Sequence, residues 1–211
     1  MTKIEAIKHA ISEANLFRSK LSPEALAVPS YTSLKIRHTL NNLGAISKNY
    51  LDCGSHRGGS YCSTVFMNDN LETGTCIDNF SEFNDGNPLK DLLDNAGKFK
   101  PDNTKFKLIS KDCWTVKPEE LPKIDLYLYD SEHSSEAQYR AVTHFLDAMT
   151  DGFIFVVDDF CWNGGYVKEA TLKGIADSGL KVLFEQELWN GVEGDNFSYH
   201  NGLYVALLSK S

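Results

Sequence analysis

The sequence predicts an α/β fold: a three-layer sandwich with a seven-stranded, mostly parallel sheet carrying one antiparallel strand, preceded by an N-terminal helical cap. Three observations carry that prediction. From residue 48 onward, short apolar runs alternate with helical patterns, the signature of strand–helix–strand crossovers. The run at 153–157 is apolar without alternation, as a central parallel strand covered on both faces should be. The last two apolar runs are separated by a polar Gly/Asn-rich stretch, 190–202, with no helical period, so they read as a hairpin that sets one strand antiparallel.

Taken in order, residues 1–45 form the cap. Ile4, Ile7, Ile11 and Leu16 recur on one helical face. Ser22-Pro23-Glu24 is a cap followed by proline at the first helical position. Leu34, Ile36, Leu40 and Leu43 mark another helix, closed by Gly44. The domain at 46–211 is expected to place strands at 50–53, 75–78, 106–110, 124–130, 153–158, 182–187 and 203–208. Helices are expected near 60–70, 88–96, 135–149 and 167–178. The run at 124–129 is broken only by Asp125. There is no internal repeat and no low-complexity stretch.

Composition narrows the function. A chain of 211 residues is one domain's worth, and 42% hydrophobic residues suffice for a core. Lys plus Arg number 21 against 29 Asp plus Glu, a formal net charge of −8, so the broad cationic face that nucleic acid requires is missing. No run approaches the ~18 apolar residues of a membrane span, and the charged N-terminus lacks a secretory apolar region, so no membrane partner is expected. Five scattered cysteines, odd in number and without a CxxC pair, fit a reducing cytoplasm better than a disulfide framework or zinc.

The strands end in Asp52-Cys53-Gly54, Asp78, Asp112, Asp130 and Asp158-Asp159, which lines one edge of the sheet with acids, where open sheets of this kind bind ligands. NYLDCGSHRGGSY runs from a strand through Gly54, Gly58 and Gly59 into a helix, a turn that lets a ligand approach backbone amides. With His at position 56 it is not the dinucleotide G-x-G-x-x-G, and no Gly-Lys-Ser/Thr follows to make a P-loop. Asp78 is placed to accept both ribose hydroxyls of a nucleoside, while Asp112, Cys113 and Trp114 can bracket an adenine with a backbone amide and an aromatic plane. Asp130, Asp158 and Asp159 close adjacent strands; three converging carboxylates either hold a hard cation, Mg²⁺, Mn²⁺ or Ca²⁺ rather than zinc, or bind substrate directly, unless Asp158 caps a turn and Asp159 faces solvent. His133, just past Asp130, is the candidate base, or else it packs on the following helix. His144 falls inside that helix and reads as structural; His200 sits in the hairpin loop and receives no role. Trp162-Asn163-Gly164-Gly165 is either a wall over the substrate or a plain loop before a helix. Tyr31 and Thr32 are placed to close over the ligand. Lys98, Lys100, Lys105 and Lys107 read as a solvated face.

The ordered segments NYLDCGSHRGGS, CIDNF, LISKDCW, LYLYDSEHSSEAQYRAV and GFIFVVDDF, over about residues 45–208, resemble class I S-adenosylmethionine-dependent methyltransferases. Within these the chain is most similar to the small metal-dependent O-methyltransferases, macrocin-type sugar enzymes first and the catechol type more distantly. The resemblance implies a Rossmann-like sheet of seven strands with one antiparallel. It also implies S-adenosylmethionine as cofactor, with Gly54, Ser55 and Gly58 around its methionine part and Asp52, Gly59 and Ser60 in the same loop. Asp78 and Asn79 would then meet the ribose, Asp112, Cys113 and Trp114 the adenine, and Asp130 the donor as well as the metal. The metal ligands would be Asp130, Asp158 and Asp159; the catechol type has Asn at the third position, so Asp159 fits the sugar type. The catechol type carries lysine where this chain has His133. The implied reaction is metal-assisted methylation of a small-molecule hydroxyl, on a sugar or polyol first and a catechol-like phenol next. Members of that family pair or form larger assemblies, which leaves a homo-oligomer open. Two other readings are a non-catalytic nucleoside-binding module of the same fold and an NAD-linked enzyme, the latter disfavoured by the glycine spacing.

Overall fold

The computed structural model describes residues 1–83 and 86–210. Its sheet has seven strands in the order β3-β2-β1-β4-β5-β7-β6: β1 Asn49–Cys53, β2 Thr73–Ile77, β3 Lys105–Ile109, β4 Ile124–Tyr129, β5 Met149–Val157, β6 Lys181–Leu188 and β7 Leu203–Ser209. β1 to β5 pair in parallel, and β7 runs antiparallel to both of its neighbours, β5 and β6. This is the Rossmann-like architecture that the alternating pattern predicted.

The helices are α1 Lys3–Asn15, α2 Pro23–Leu26, α3 Leu34–Gly44, α4 Gly59–Val65, α5 Pro88–Phe99, α6 Ser135–Thr143 and α7 Tyr166–Asp177. Side-chain caps start many of them. Thr2 and Glu5 form a reciprocal capping box on α1, and Ser22, Ser33 and Ser134 cap α2, α3 and α6. Among the described residues no helix is long and apolar enough to cross a membrane. All five cysteines are buried free thiols.

Each face of the sheet buries its own cluster. Tyr50, Leu126, Leu128, Ile154 and Val156 pack with Ile7, Leu40, Tyr61 and Leu92, so the N-terminal helices cover the same face as α4 and α5. Leu51, Tyr127, Phe155 and Ala206 pack with Val142, Phe145, Val167 and Ile175 beneath α6 and α7. Two covered faces explain why the central strands read as unbroken apolar runs. Asp125, the one polar break, caps the start of β1 by accepting the Lys48 and Asn49 backbone N–H groups at 3.0 and 2.7 Å.

Four local expectations change. Leu16 lies at the C-cap of α1, 55% exposed, because the helix stops before its side chain can return to the apolar face. The helix expected at 60–70 ends at Val65, where the buried Asn68 side chain donates to the Thr64 and Asn41 carbonyls and ties the chain back. The helix expected to run to 149 ends at Thr143; a 3-10 turn, Leu146–Ala148, follows, and Met149 already pairs with Ile124 in the sheet. Gly44 is the last residue of α3 and has no left-handed conformation. Its missing side chain serves packing instead: a Cβ there would lie 2.3 Å from the Thr64 carbonyl oxygen of α4.

Behind this contact sits Arg37, a 3% exposed guanidinium that bonds the Ser63 hydroxyl and the carbonyls of Ala25, Leu26 and Val28. Burial lowers its pKa to about 10. It pins the chain around α2 onto α3 and α4. Because the α3–α4 approach is backbone against backbone, Gly44→Ala is expected to cost about 1–3 kcal/mol of stability. Urea unfolding measures it, and an unchanged midpoint would contradict the close packing.

Candidate functional site at the carboxyl edge of the sheet

The chain leaves β1 toward β2 and β3 on one side, whereas β4 and β5 lie on the other, so the order reverses between β1 and β4, the place where such sheets hold ligands. The tips of these two strands touch. Gly54, at φ +90°, would place a Cβ 1.7 Å from the Asp130 carbonyl oxygen, so only glycine fits. Asp78 grips the turn that follows: its carboxylate accepts the His56 N–H at 2.7 Å and the Phe80 N–H at 2.6 Å. His56 itself takes a positive φ of 42°.

Two clefts open at this edge. The first, of about 330 Å³, runs between Asp78 and Asn79 on one side and Asp112, Cys113 and Trp114 on the other, with Gly54 and Asp130 at its inner end. Asp112 caps the short turn Cys113–Thr115 by accepting the Trp114 N–H, and the indole is flanked by the Arg140 guanidinium at 4.4 Å and by Tyr129. The second cleft, of about 130 Å³, lies among Tyr31, Thr32, Ser55, Gly59, Ser60, His133 and Asp159. Gly54, His56, Glu82, Phe83, Asp130 and Ser131 line both, so the two clefts adjoin.

Three of the expected site residues line neither cleft. Asp52 is fully buried within β1 and accepts the Ser60 hydroxyl at 2.8 Å; burial, with Asp130 and Asp78 adding to it against the Ser60 bond, pushes its carboxyl up to about 8. It supports the turn from beneath. Gly58 is the left-handed cap of α4 and faces Leu92. Asp158 turns into the fold at 5% exposure and accepts the Asp159 N–H at 2.9 Å; burial, then Asp130 and Asp159, hold its carboxyl well above the usual range. The backbone swings at Asp159, where φ is 54°, and the two successive carboxylates part company. Asp130, His133 and Asp159 each offer one potential ligand atom within 4.8 Å of the others, a group of which the buried Asp158 is not part.

Asp159 is the hub. One oxygen accepts the Asn201 amide at 2.8 Å and lies 3.6 Å from His200 Nδ1; the other lies 3.2 Å from His133 Nε2. The His133 N–H is not aimed along that line, so the contact is charge against charge rather than an aligned hydrogen bond. Burial works against the imidazolium, but Asp159, Asp130 and Glu82 outweigh it and raise the His133 pKa. Burial opposes the Asp159 charge too, and His133 and Asn201 overcome it and hold that carboxyl low. Asp130 is pushed up to about 7 by burial and then by Asp159, with His133 opposing.

Of the remaining expectations, His144 bonds the Val116 carbonyl at 2.9 Å and packs on Trp114. Trp162 stands edge-on to His133 at 5.4 Å and leads into α7; the Asn163 side chain lies outside the described part. Lys105 and Lys107 point outward from the edge strand β3. Sequence reasoning missed Glu82, Phe83, His56 and Asn201. Tyr31, His56 and Phe83 form a ring cluster at 5.1–5.4 Å where the clefts meet. An acid and an aromatic in the loop that follows β2 and Asp78 were the available signal.

No protein-family profile matches the chain, and no curated protein matches it. Solved structures do. An S-adenosylhomocysteine-bound methyltransferase from Podospora anserina superposes with TM-score 0.61 at 13% identity, covering 96% of this chain and 87% of its own. A Staphylococcus aureus protein proposed to be a caffeoyl-CoA O-methyltransferase gives 0.60 at 14%, covering 97% and 96%. A Streptococcus mutans protein proposed to be S-adenosylmethionine-dependent gives 0.57 at 14%; 83% of this chain is covered, and the chain spans about half, 48%, of that one.

The ion pair has a definite pH sign. A raised His133 pKa means that its contact with Asp159 stabilises the fold fully below the ordinary value of 6.5, and that this stability is lost as pH rises through the raised value. In an NMR titration the His133 ring is expected to titrate above 6.5, and Asp159→Asn is expected to move it down. A ring indifferent to Asp159→Asn would refute the pairing. At these identities the likeness establishes the architecture: the chain has the Rossmann-like fold of the S-adenosylmethionine-dependent methyltransferases.

Proposed function

We propose that the chain is an S-adenosylmethionine-dependent methyltransferase that methylates a hydroxyl of a small molecule, with sugars and other polyols as the favoured acceptor class. One observation carries this reading: a cleft with nucleoside-type lining adjoins a smaller cleft holding a His–Asp pair, and Asp130 belongs to both. Each Asp78 oxygen already accepts one backbone N–H and keeps a lone pair free for a ribose hydroxyl. Trp114, with Arg140 over its ring at 4.4 Å, lines the same cleft beside Asp112 and Cys113, where an adenine would lie. The donor's methyl group would then sit near Asp130, facing the second cleft.

Methyl transfer is an in-line displacement, so positioning supplies most of the rate. His133 in its neutral form is the group we assign to take the acceptor's proton, and Asp159, 3.2 Å away, would stabilise the imidazolium that forms. The same groups define what cation the site would accept. Two carboxylate oxygens and one imidazole nitrogen within 4.8 Å suit Mn²⁺, which takes one imidazole beside carboxylates more readily than Mg²⁺ does. An ion held by Asp130, His133 and Asp159 would acidify a bound hydroxyl. His133 cannot ligate and accept the proton at once, so metal dependence of turnover separates the two.

Calorimetry with S-adenosylhomocysteine is the first test. Binding is expected, and Asp78→Asn should weaken it about tenfold through lost charge-assisted bonds. Turnover on a panel of polyols and catechols should fall about 100-fold or more in His133→Ala, with nucleoside affinity kept. A chain that binds the nucleoside but turns over nothing, with or without Mn²⁺, is a binding module. One that does not bind S-adenosylhomocysteine refutes the proposal.

A further inference from the structure

The Asp159 carboxylate is held from behind by a residue that lines neither cleft. Asn201 is 8% exposed and lies outside both linings. Its Oδ1 accepts the Gly194 N–H at 2.9 Å, and its Nδ2 donates to Asp159 Oδ1 at 2.8 Å. A backbone N–H can only donate, so the bond from Gly194 fixes which end of the amide is oxygen and turns the NH₂ group toward Asp159. The backbone repeats the tie. The Cys161 N–H donates to the Asn201 carbonyl at 2.8 Å, and the Phe160 N–H to that of Gly202 at 3.0 Å. Both segments carry a non-glycine residue in the left-handed region, with φ of 54° at Asp159 and 50° at His200. Residues in that region persist where their surroundings over-determine them, and they gather at functional sites. The hairpin is itself anchored on the helical cap: Ser33 donates to the Ser198 carbonyl at 2.6 Å, and the Tyr199 hydroxyl to Asn15 at 3.0 Å.

Position 201 needs an acceptor at one end and a donor at the other, which an amide of this length supplies. An aspartate carboxylate turns about χ2 in a broad well, so the bonding of one oxygen decides where the other points. Asn201 assigns Oδ1 to the hairpin, and Oδ2 is left 3.2 Å from His133 Nε2. His200 Nδ1 stands 3.6 Å from Oδ1, beyond hydrogen-bond reach. Resting on the methyltransferase reading, we propose that Asn201 is a positioning residue for the transfer: it keeps the Asp159 carboxylate set against His133 while the acceptor's proton moves to that ring. It acts through Asp159 and touches neither donor nor acceptor.

A double-mutant cycle tests this on whichever polyol or catechol turns over fastest. Asn201→Ala is expected to lower kcat about tenfold or more, the effect of losing a hydrogen bond to a charged group, with the acceptor KM within about twofold. Affinity for S-adenosylhomocysteine, measured by calorimetry, should be kept. In the Asp159→Ala background the same change should cost no more than about twofold, because a residue acting through Asp159 has nothing left to act on. Asn201→Asp keeps the shape and the acceptor for the Gly194 N–H but gives up the donor, so in alkaline buffer it too should lose kcat. Losses that add across the cycle, a loss confined to KM, a loss of S-adenosylhomocysteine affinity in both Asn201 variants, or wild-type kcat in Asn201→Asp would overturn the inference and leave the methyltransferase reading standing. A wild-type chain that methylates no acceptor of the panel removes that reading, and the inference with it.

Discussion

The contact of two strand tips governs this molecule. Where β1 turns away, Gly54 presses against the carbonyl of Asp130 at the end of β4, a distance that no side chain tolerates. That approach exists because the strand order reverses there, sending the chain to opposite sides of the sheet. Asp78, by holding two backbone N–H groups beyond the adjacent strand, keeps the turn in place. The larger cleft, the smaller cleft and the acidic junction between them all lie around this one abutment.

Much of the architecture was legible before any coordinates. Alternating runs and the apolar stretch at 153–157 specify a mostly parallel sheet, since strands buried on both faces leave no polar period. The hairpin at 190–202 followed from its composition. Helix ends were less legible, because they depend on tertiary bonds: Asn68 reaching back to α3, or Met149 being claimed by the sheet. Gly44 shows the same limit. A glycine at a helix end signals a left-handed cap, but here it makes room for a neighbouring backbone.

The candidate site was legible by position and much less by orientation. Placing acids at strand ends locates the edge, and Asp78, Asp112 and Asp130 line the first cleft as that reasoning required. It could not say which of Asp158 and Asp159 would face outward, since a single positive φ decides it. Nor could it separate Asp52, whose place within the strand buries it, from acids one residue further on. Loop residues such as Glu82 and Asn201 reach the site through turns that carry no periodic signal. Burial then explains the electrostatics: it pushes the carboxyls of Asp52, Asp130 and Asp158 up, while His133 and Asn201 hold that of Asp159 low.

Arg37 gives the smaller cleft a property of its own. A buried guanidinium with three carbonyls and one hydroxyl as partners locks residues 25–28, and Ser33, bonded to the Ser198 carbonyl, locks the chain again four residues beyond Pro29. The stretch between, 29–32, supplies one wall of the smaller cleft while its two ends are clamped independently of it. Such an arrangement lets short changes in that wall alter the smaller cleft without loosening the clamps, except at Tyr31, whose ring packs on His56 and Phe83 of the larger cleft.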